Sequence, residues 1–311
     1  MKFSRFQKAI FAGFAAALAA ISLAACSSAT GTPTPTAPPE TSAELEAILA
    51  TTDLEPGPNR FAFLLLTPQA LVTVPEVEIA SYLRTSDGSL PQQPTQVATA
   101  VFHLWPFGTR GSYISELTFD APGPWVVIAR VDDSELGDLT VEIPVPVRPS
   151  TITPPVGAIA PSTANKTVDT VDSLAQLTTG STPDPTLYQI TIDEAVGNGL
   201  PTLLVFASPS LCTSPTCGPQ VETVSEIAAA RGPDANFIHI EVYDNPDDIQ
   251  GDLSRARYSS PVRDWRLTEI EGYRNESWIF MLEPGGRIAA RFEGYASAVE
   301  LEEALDSVVS A

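Results

Sequence analysis

The chain has 311 residues, with 17 Lys and Arg against 38 Asp and Glu, a formal net charge of −21 and three cysteines. So acidic a polypeptide is repelled by phosphate backbones and by anionic lipid headgroups. Nucleic acid is therefore excluded as an expected partner, and attachment to a membrane would need a device other than surface charge.

Three basic residues, Lys2, Arg5 and Lys8, precede an apolar stretch from Ala9 to Leu23, and Leu23-Ala24-Ala25-Cys26 closes the segment. The stretch is short for a membrane span, and no acidic residue occurs before Glu40. Leu-Ala-Ala-Cys resembles a bacterial lipobox, which implies a signal peptide over 1–25, lipidation at Cys26 and a membrane-anchored lipoprotein of the cell envelope, outside the cytoplasm. Loss of residues 1–25 would leave a mature charge of −24. The alternatives are a single N-terminal membrane anchor or an ordinary cleaved signal.

Prolines gather at Gly31–Pro39 and from Pro144 to about Pro185. The first zone predicts a solvated spacer over 26–53, and the second a Pro/Thr-rich linker over 149–186 between two domains. Between them, β-rich segments are predicted at Arg60–Thr67, Glu76–Arg84, Val97–Leu104, Ser112–Phe119, Trp125–Val131 and Leu139–Val147. Short strands separated by turn formers argue an antiparallel β-sandwich over 54–148. The stretch Phe119-Asp120-Ala121-Pro122-Gly123-Pro124-Trp125 resembles a turn of immunoglobulin-like modules, which implies a spacer or protein-interaction role. His103, inside an apolar run, is expected to be a structural or surface residue.

From about Leu187 the pattern alternates. A short helix from Ile192 ends at Gly197-Asn198-Gly199, and Thr202–Ala207 is a continuous apolar strand. A loop holding Cys212 and Cys217 leads into a helix stopped by Gly232-Pro233, starting at Pro215 behind a Ser214 cap or near Pro219. Asn236–Tyr243 is the next strand. Trp278–Leu282 and Arg287–Phe292 form a hairpin about Glu283-Pro284-Gly285-Gly286. Ser297–Val309 is an amphipathic helix with Val299, Leu305 and Val308 as core candidates.

This element order, the Cys-Gly-Pro of the loop and the segment SWIFMLEPGGRIAARFEGY with its Gly294 resemble the thioredoxin fold. Val156-Gly157-Ala158-Ile159-Ala160-Pro161 is similar to the lead-in of exported thioredoxin-like proteins. The resemblance implies an α/β thioredoxin-like domain over 187–311 and a thiol–disulfide oxidoreductase acting on exported thiol or disulfide proteins, or on other envelope proteins. Cys212 would attack and Cys217 resolve. Ser277, Trp278 and Pro219 would be candidate partner contacts, and no cofactor is expected.

Three features differ from that family. Four residues separate the cysteines instead of two. The strand Leu203-Leu204-Val205-Phe206 lacks a buried acid. The position of the family's cis-proline falls at Ser277. The same pair is compatible with a permanent disulfide in a redox-inert binding module. A copper carrier would need a third ligand, and His239, the one histidine of the domain, lies too early in the chain and is expected to be packed or solvent-facing. Pro209 stands where a peroxidase would place Thr or Ser. Glu241, Asp244, Asp247 and Asp248 are expected to form a solvated acidic loop.

Overall fold

A computed structural model describes residues 44–273 and 276–310. The expected signal peptide and lipidated Cys26 lie outside the described residues.

Seven strands form one hydrogen-bonded sheet: β1 (Glu46–Leu49), β2 (Gly57–Leu66), β3 (Glu76–Leu83), β4 (Gln96–Leu104), β5 (Gly111–Phe119), β6 (Gly123–Asp133) and β7 (Gly137–Val147). The order is β1-β2-β5-β4-β3-β6-β7, and neighbouring strands are antiparallel. The six predicted strands are β2 to β7, each bounded within three residues of expectation. Side-chain alternation explains this: Ile143, Val145 and Val147 are buried, while Glu142, Pro144 and Pro146 are exposed. Both prolines stand on an edge strand, where a missing N–H leaves no central ladder bond unmade.

The sheet differs from a sandwich of two separate sheets in being continuous. β4 and β5 pair only beside their connecting turn, from Val101↔Ile114 to Leu104↔Gly111. The sheet folds over at that point. Phe61, Phe63, Leu117 and Phe119 of one half then share a single core with Ile79, Trp125, Val127 and Ile143 of the other. Phe119 and Trp125 meet edge to face at 5.0 Å.

A second sheet has the order β11-β10-β8-β9. β8 (Thr202–Ala207) and β9 (Asn236–Glu241) are parallel, whereas β10 (Trp278–Leu282) and β11 (Ile288–Glu293) form an antiparallel hairpin. All six residues of β8 are buried, as a continuous apolar run in a central strand requires. The helices are α1 (Ile192–Gly197), α2 (Cys217–Arg231), α3 (Pro246–Ile249), α4 (Ser260–Asp264) and α5 (Ala298–Val309). Leu203, Val205, Ile279 and Met281 pack with α2 and α5 on one face; Leu204, Phe206 and Phe280 pack with Trp265 on the other. β8, α2, β9, the hairpin and α5 follow one another in the chain order the resemblance implied. Within α5, Leu301 takes the core position expected of Val299, which is 62% exposed; Leu305 and Val308 are buried.

Two expected boundaries need correction. The segment read as spacer to residue 53 contains β1, because Leu45, Ala47 and Leu49 pack on the first core. Four residues are too few to give a legible strand pattern. The stretch read as linker over 149–186 is packed, with Thr151, Thr153, Ala160, Thr163, Thr167 and Leu177 all buried. Its lead-in runs beside β11: Gly157 N donates to Ile288 O, Ile288 N to Ala158 O and Ala160 N to Gly286 O, at 2.8–2.9 Å. Proline-rich composition here reflects irregular backbone tied down by hydrogen bonds, not a loose tether.

Buried charges join the two sheets. Asp53, 1% exposed, accepts hydrogen bonds from Ile152 N (2.8 Å), Thr153 N (2.9 Å), Thr153 Oγ1 (2.9 Å) and Arg291 Nη1 (3.1 Å). Glu293 accepts from Thr52 N (2.6 Å), Thr52 Oγ1 (2.6 Å) and Asp53 N (3.2 Å). Arg60 on β2 reaches Glu300 of α5 at 2.7 Å and Tyr295 O at 2.8 Å. Asp53→Ala would strand a buried guanidinium and two amides, so a loss of about 3–5 kcal/mol is expected in urea unfolding. Asp53→Asn, which keeps an acceptor, should lose less.

Candidate functional site

The cysteine loop runs from the end of β8 to the start of α2. Ser208 O accepts from both Leu211 N and Cys212 N at 3.1 Å, which turns the chain out of the sheet. Helix α2 begins at Cys217, between the two predicted starts, with Thr216 as its N-cap residue. Pro219 falls inside the first turn, where backbone N–H groups have no helical acceptor and none is lost.

Cys212 and Cys217 are joined as a disulfide, with Cα atoms 6.0 Å apart. Their surroundings differ. Cys212 is half-buried in the loop, while Cys217 is fully buried, in the same core cluster as Ala207 and Val224. The helix dipole acts on Cys217, so the accessible sulfur is not the one at the helix terminus.

The residue that meets Cys212 from across the loop was not among the sequence candidates. Glu276 Oε2 lies 3.9 Å from Cys212 Sγ, and Glu276 Oε1 accepts from Ser214 N at 3.1 Å. Ser214 Oγ donates to the same carboxylate and lies 2.6 Å from Thr216 Oγ1. Ser277 and Trp278, the expected partner contacts, are 0% and 2% exposed. The Ser277 hydroxyl donates to Gly294 O at 2.9 Å, so it fastens the strap before β10 instead of facing a partner. Pro219 is half-buried, and its carbonyl accepts from Thr223 Oγ1. A glutamate two residues before a predicted strand carries no pattern of its own; only the fold brings it to the sulfur.

A buried acid is present after all, supplied by the neighbouring strand. Glu241, expected in a solvated acidic loop, is the last residue of β9, opposite Ala207, and is 5% exposed. Burial pushes its carboxyl up to about 7, against hydrogen bonds from Ser208 and Thr179 that favour ionisation. Glu293 is likewise pushed up to about 7 by burial. His239, two residues before Glu241 and on the same face, is 1% exposed; burial lowers its pKa to about 4. Its Nε2 lies 3.1 Å from Ala207 O, which can only accept, so that nitrogen carries the hydrogen. Nδ1 then accepts from the Tyr188 hydroxyl at 2.6 Å. Both ring nitrogens are engaged by protein, which makes His239 a packed core residue. His103 is half-buried on β4.

Next to the cysteine loop, at Thr213, Ser214 and Thr216, opens a cleft of 510 Å³. One wall is Ile48, Leu49, Leu64 and Trp105 of the folded sheet; the other is Thr213, Ser214, Glu276 and Trp278. The β-domain therefore borders the loop directly.

No family model matches the chain, and no curated protein matches it. Among solved structures, a thiol:disulfide interchange protein of the thioredoxin family from Chlorobium tepidum TLS aligns at 13% identity with a TM-score of 0.33. The alignment covers 50% of this chain and 98% of that one.

The raised pKa of Glu241 has a stability consequence. Its folded value lies above its ordinary one, so the unfolded chain ionises first as pH rises through the window from about 4.5 to about 7. Stability contributed by the protonated form is lost across that window. Glu241→Gln keeps the acceptor for Thr179 and does not ionise. Urea unfolding at pH 5 and pH 7.5 should show the variant gaining on the native chain by up to roughly 3 kcal/mol over the interval.

Proposed function

We propose that this chain is a membrane-tethered, extracytoplasmic thioredoxin-like protein that exchanges disulfides with exported proteins through Cys212 and Cys217. The observation that carries the reading is the unequal placement of one disulfide: Cys212 half-buried in the loop, Cys217 buried as the first residue of α2. An incoming partner thiolate can reach Cys212 Sγ. Its attack forms a mixed disulfide and expels the Cys217 thiolate, which the helix N-terminus stabilises. A second partner thiol then displaces Cys212, leaving the partner oxidised and the protein as a dithiol. Run in reverse, the same steps reduce a partner disulfide.

The strand order β11-β10-β8-β9, with α2 and α5 packed on one face, supports the thioredoxin-like assignment. The pairing of β1-β2-β5 against β4-β3-β6-β7 across one core supports an immunoglobulin-like reading of the first domain. The acidic surface supports attachment through lipid at Cys26 rather than through headgroup charge.

The purified chain should be reducible by glutathione, and should turn over a dithiol peptide. Cys212→Ser should abolish turnover, while Cys217→Ser should trap a mixed disulfide at Cys212. A bond that glutathione leaves intact, with no turnover, would make it a structural staple in a binding module. Separately, Cys26→Ala should move the protein from the membrane to the soluble fraction; unchanged fractionation would refute the lipid tether.

A further inference from the structure

Glu276 is fixed from both sides. Next to it, Ser277 is buried, donates its hydroxyl to Gly294 O and accepts from Gly294 N at 2.9 Å, so the strap before β10 cannot shift freely. Toward the loop, Glu276 holds Ser214 by backbone and hydroxyl, with Oε2 3.9 Å from Cys212 Sγ. Ser214 Oγ itself lies 3.7 Å from that sulfur. A carboxylate that also lines the cleft is therefore preorganised against Cys212, the less buried of the two cysteines.

Resting on the thiol–disulfide reading, we propose that Glu276 is the proton-transfer group of Cys212, doing at the loop surface what no acid of β8 is placed to do. In the dithiol form the Cys212 S–H faces the carboxylate. When a partner disulfide R–S–S–R′ arrives, the proton passes to Glu276 as Cys212 Sγ bonds to the R sulfur and R′–S⁻ leaves. The Cys217 thiol, losing its proton to the departing R′–S⁻, then attacks Cys212 Sγ. That breaks the mixed disulfide, and R–S⁻ takes the proton held by Glu276. The dithiol is oxidised to the disulfide, the partner disulfide is reduced to two thiols, and both protons are accounted for.

Such a carboxylate has two effects of opposite sign. It disfavours the free thiolate, so it slows attack by a small alkylating reagent. It also removes the proton during exchange, so it speeds turnover. A residue that merely pinned the loop would move both rates together. Among the described residues, the other ionisable groups lining the cleft are Glu271, Tyr273, Glu293 and Tyr295; Arg274 lies outside the described residues.

The test uses the full reduced chain, with iodoacetamide labelling of Cys212 mapped by mass spectrometry across pH, and exchange with a small disulfide-bonded peptide. Glu276→Gln should label about tenfold faster at neutral pH, with a lower midpoint, while exchange becomes about tenfold slower. Glu276→Asp should recover part of the exchange rate, and Glu271→Gln should leave both rates unchanged. A fall in both rates, or unchanged labelling, would reduce Glu276 to a loop anchor and overturn the proposal. An equal shift in Glu271→Gln would overturn it as well, by assigning the effect to general negative charge. Faster labelling of Glu276→Gln in a protein that exchanges with no disulfide would instead overturn the oxidoreductase reading, leaving the thiol–carboxylate pair in place.

Discussion

The Asp53–Arg291 pair is the constraint on which the rest of the structure depends. Asp53 follows β1, Arg291 lies on β11, and their side chains are 1% and 11% exposed. Through Ile152 and Thr153 the same carboxylate also holds the chain where it leaves the first sheet. Together with the Glu293–Thr52 and Arg60–Glu300 contacts, that anchor fixes the folded sheet against the hairpin sheet. With it, β1 and Trp105 form one wall of the cleft next to the cysteine loop. Separating two desolvated charges that each satisfy further hydrogen bonds is expensive, so the anchor resists partial opening.

Given that frame, the cysteine loop is shaped by the four residues between its sulfurs. A shorter spacing would place both sulfurs within one helical turn. The longer one pushes the start of α2 back to Cys217 and leaves Cys212 outside the helix. Helix dipole and solvent access are thereby assigned to different sulfurs. In the proposed exchange the dipole would favour Cys217 as leaving group, and its lesser burial would favour Cys212 as the point of attack. Ser214, inside the extra length, supplies the hydroxyl that engages the carboxylate opposite, and Thr216 Oγ1 lies 2.6 Å from that hydroxyl.

Regular elements were legible in the sequence wherever burial imposed a period. β7 shows strict alternation, β8 a continuous apolar run bounded by Pro201, and α5 an amphipathic pattern that buries Leu305 and Val308. Val299 was misplaced because apolarity alone does not settle which side of an amphipathic helix a residue takes near its first turn. β1 was missed because four residues carry too little pattern, and the 149–186 segment because composition registers proline but not the backbone hydrogen bonds that order it. The site divided in the same way. Two cysteines at the approach to a helix announce themselves, whereas Glu276, Glu241 and Glu293 gain their roles from contacts separated by 62 residues or more in the chain. Glu241 in particular looked like part of an acidic loop because Asp244, Asp247 and Asp248 follow it; β9 ends on Glu241 and so turns only that one inward.

The contacts of Glu276 and Glu293 converge on one end of the hairpin. Trp278 and Glu293 are register partners, and Gly294 N returns to Ser277 O, so Glu276 and Glu293 leave adjacent strands at the same end of the sheet. Gly294 can make that turn because its φ of +76° is open to glycine at little cost. One carboxylate takes the amides and hydroxyl of Thr52 and Asp53, while the other takes the amide and hydroxyl of Ser214. A single backbone crossing therefore positions the contact that holds the first domain and the contact that faces the sulfur. The β-domain is thus part of the architecture of the site, since the strand end that binds it also sets where Glu276 stands relative to Cys212.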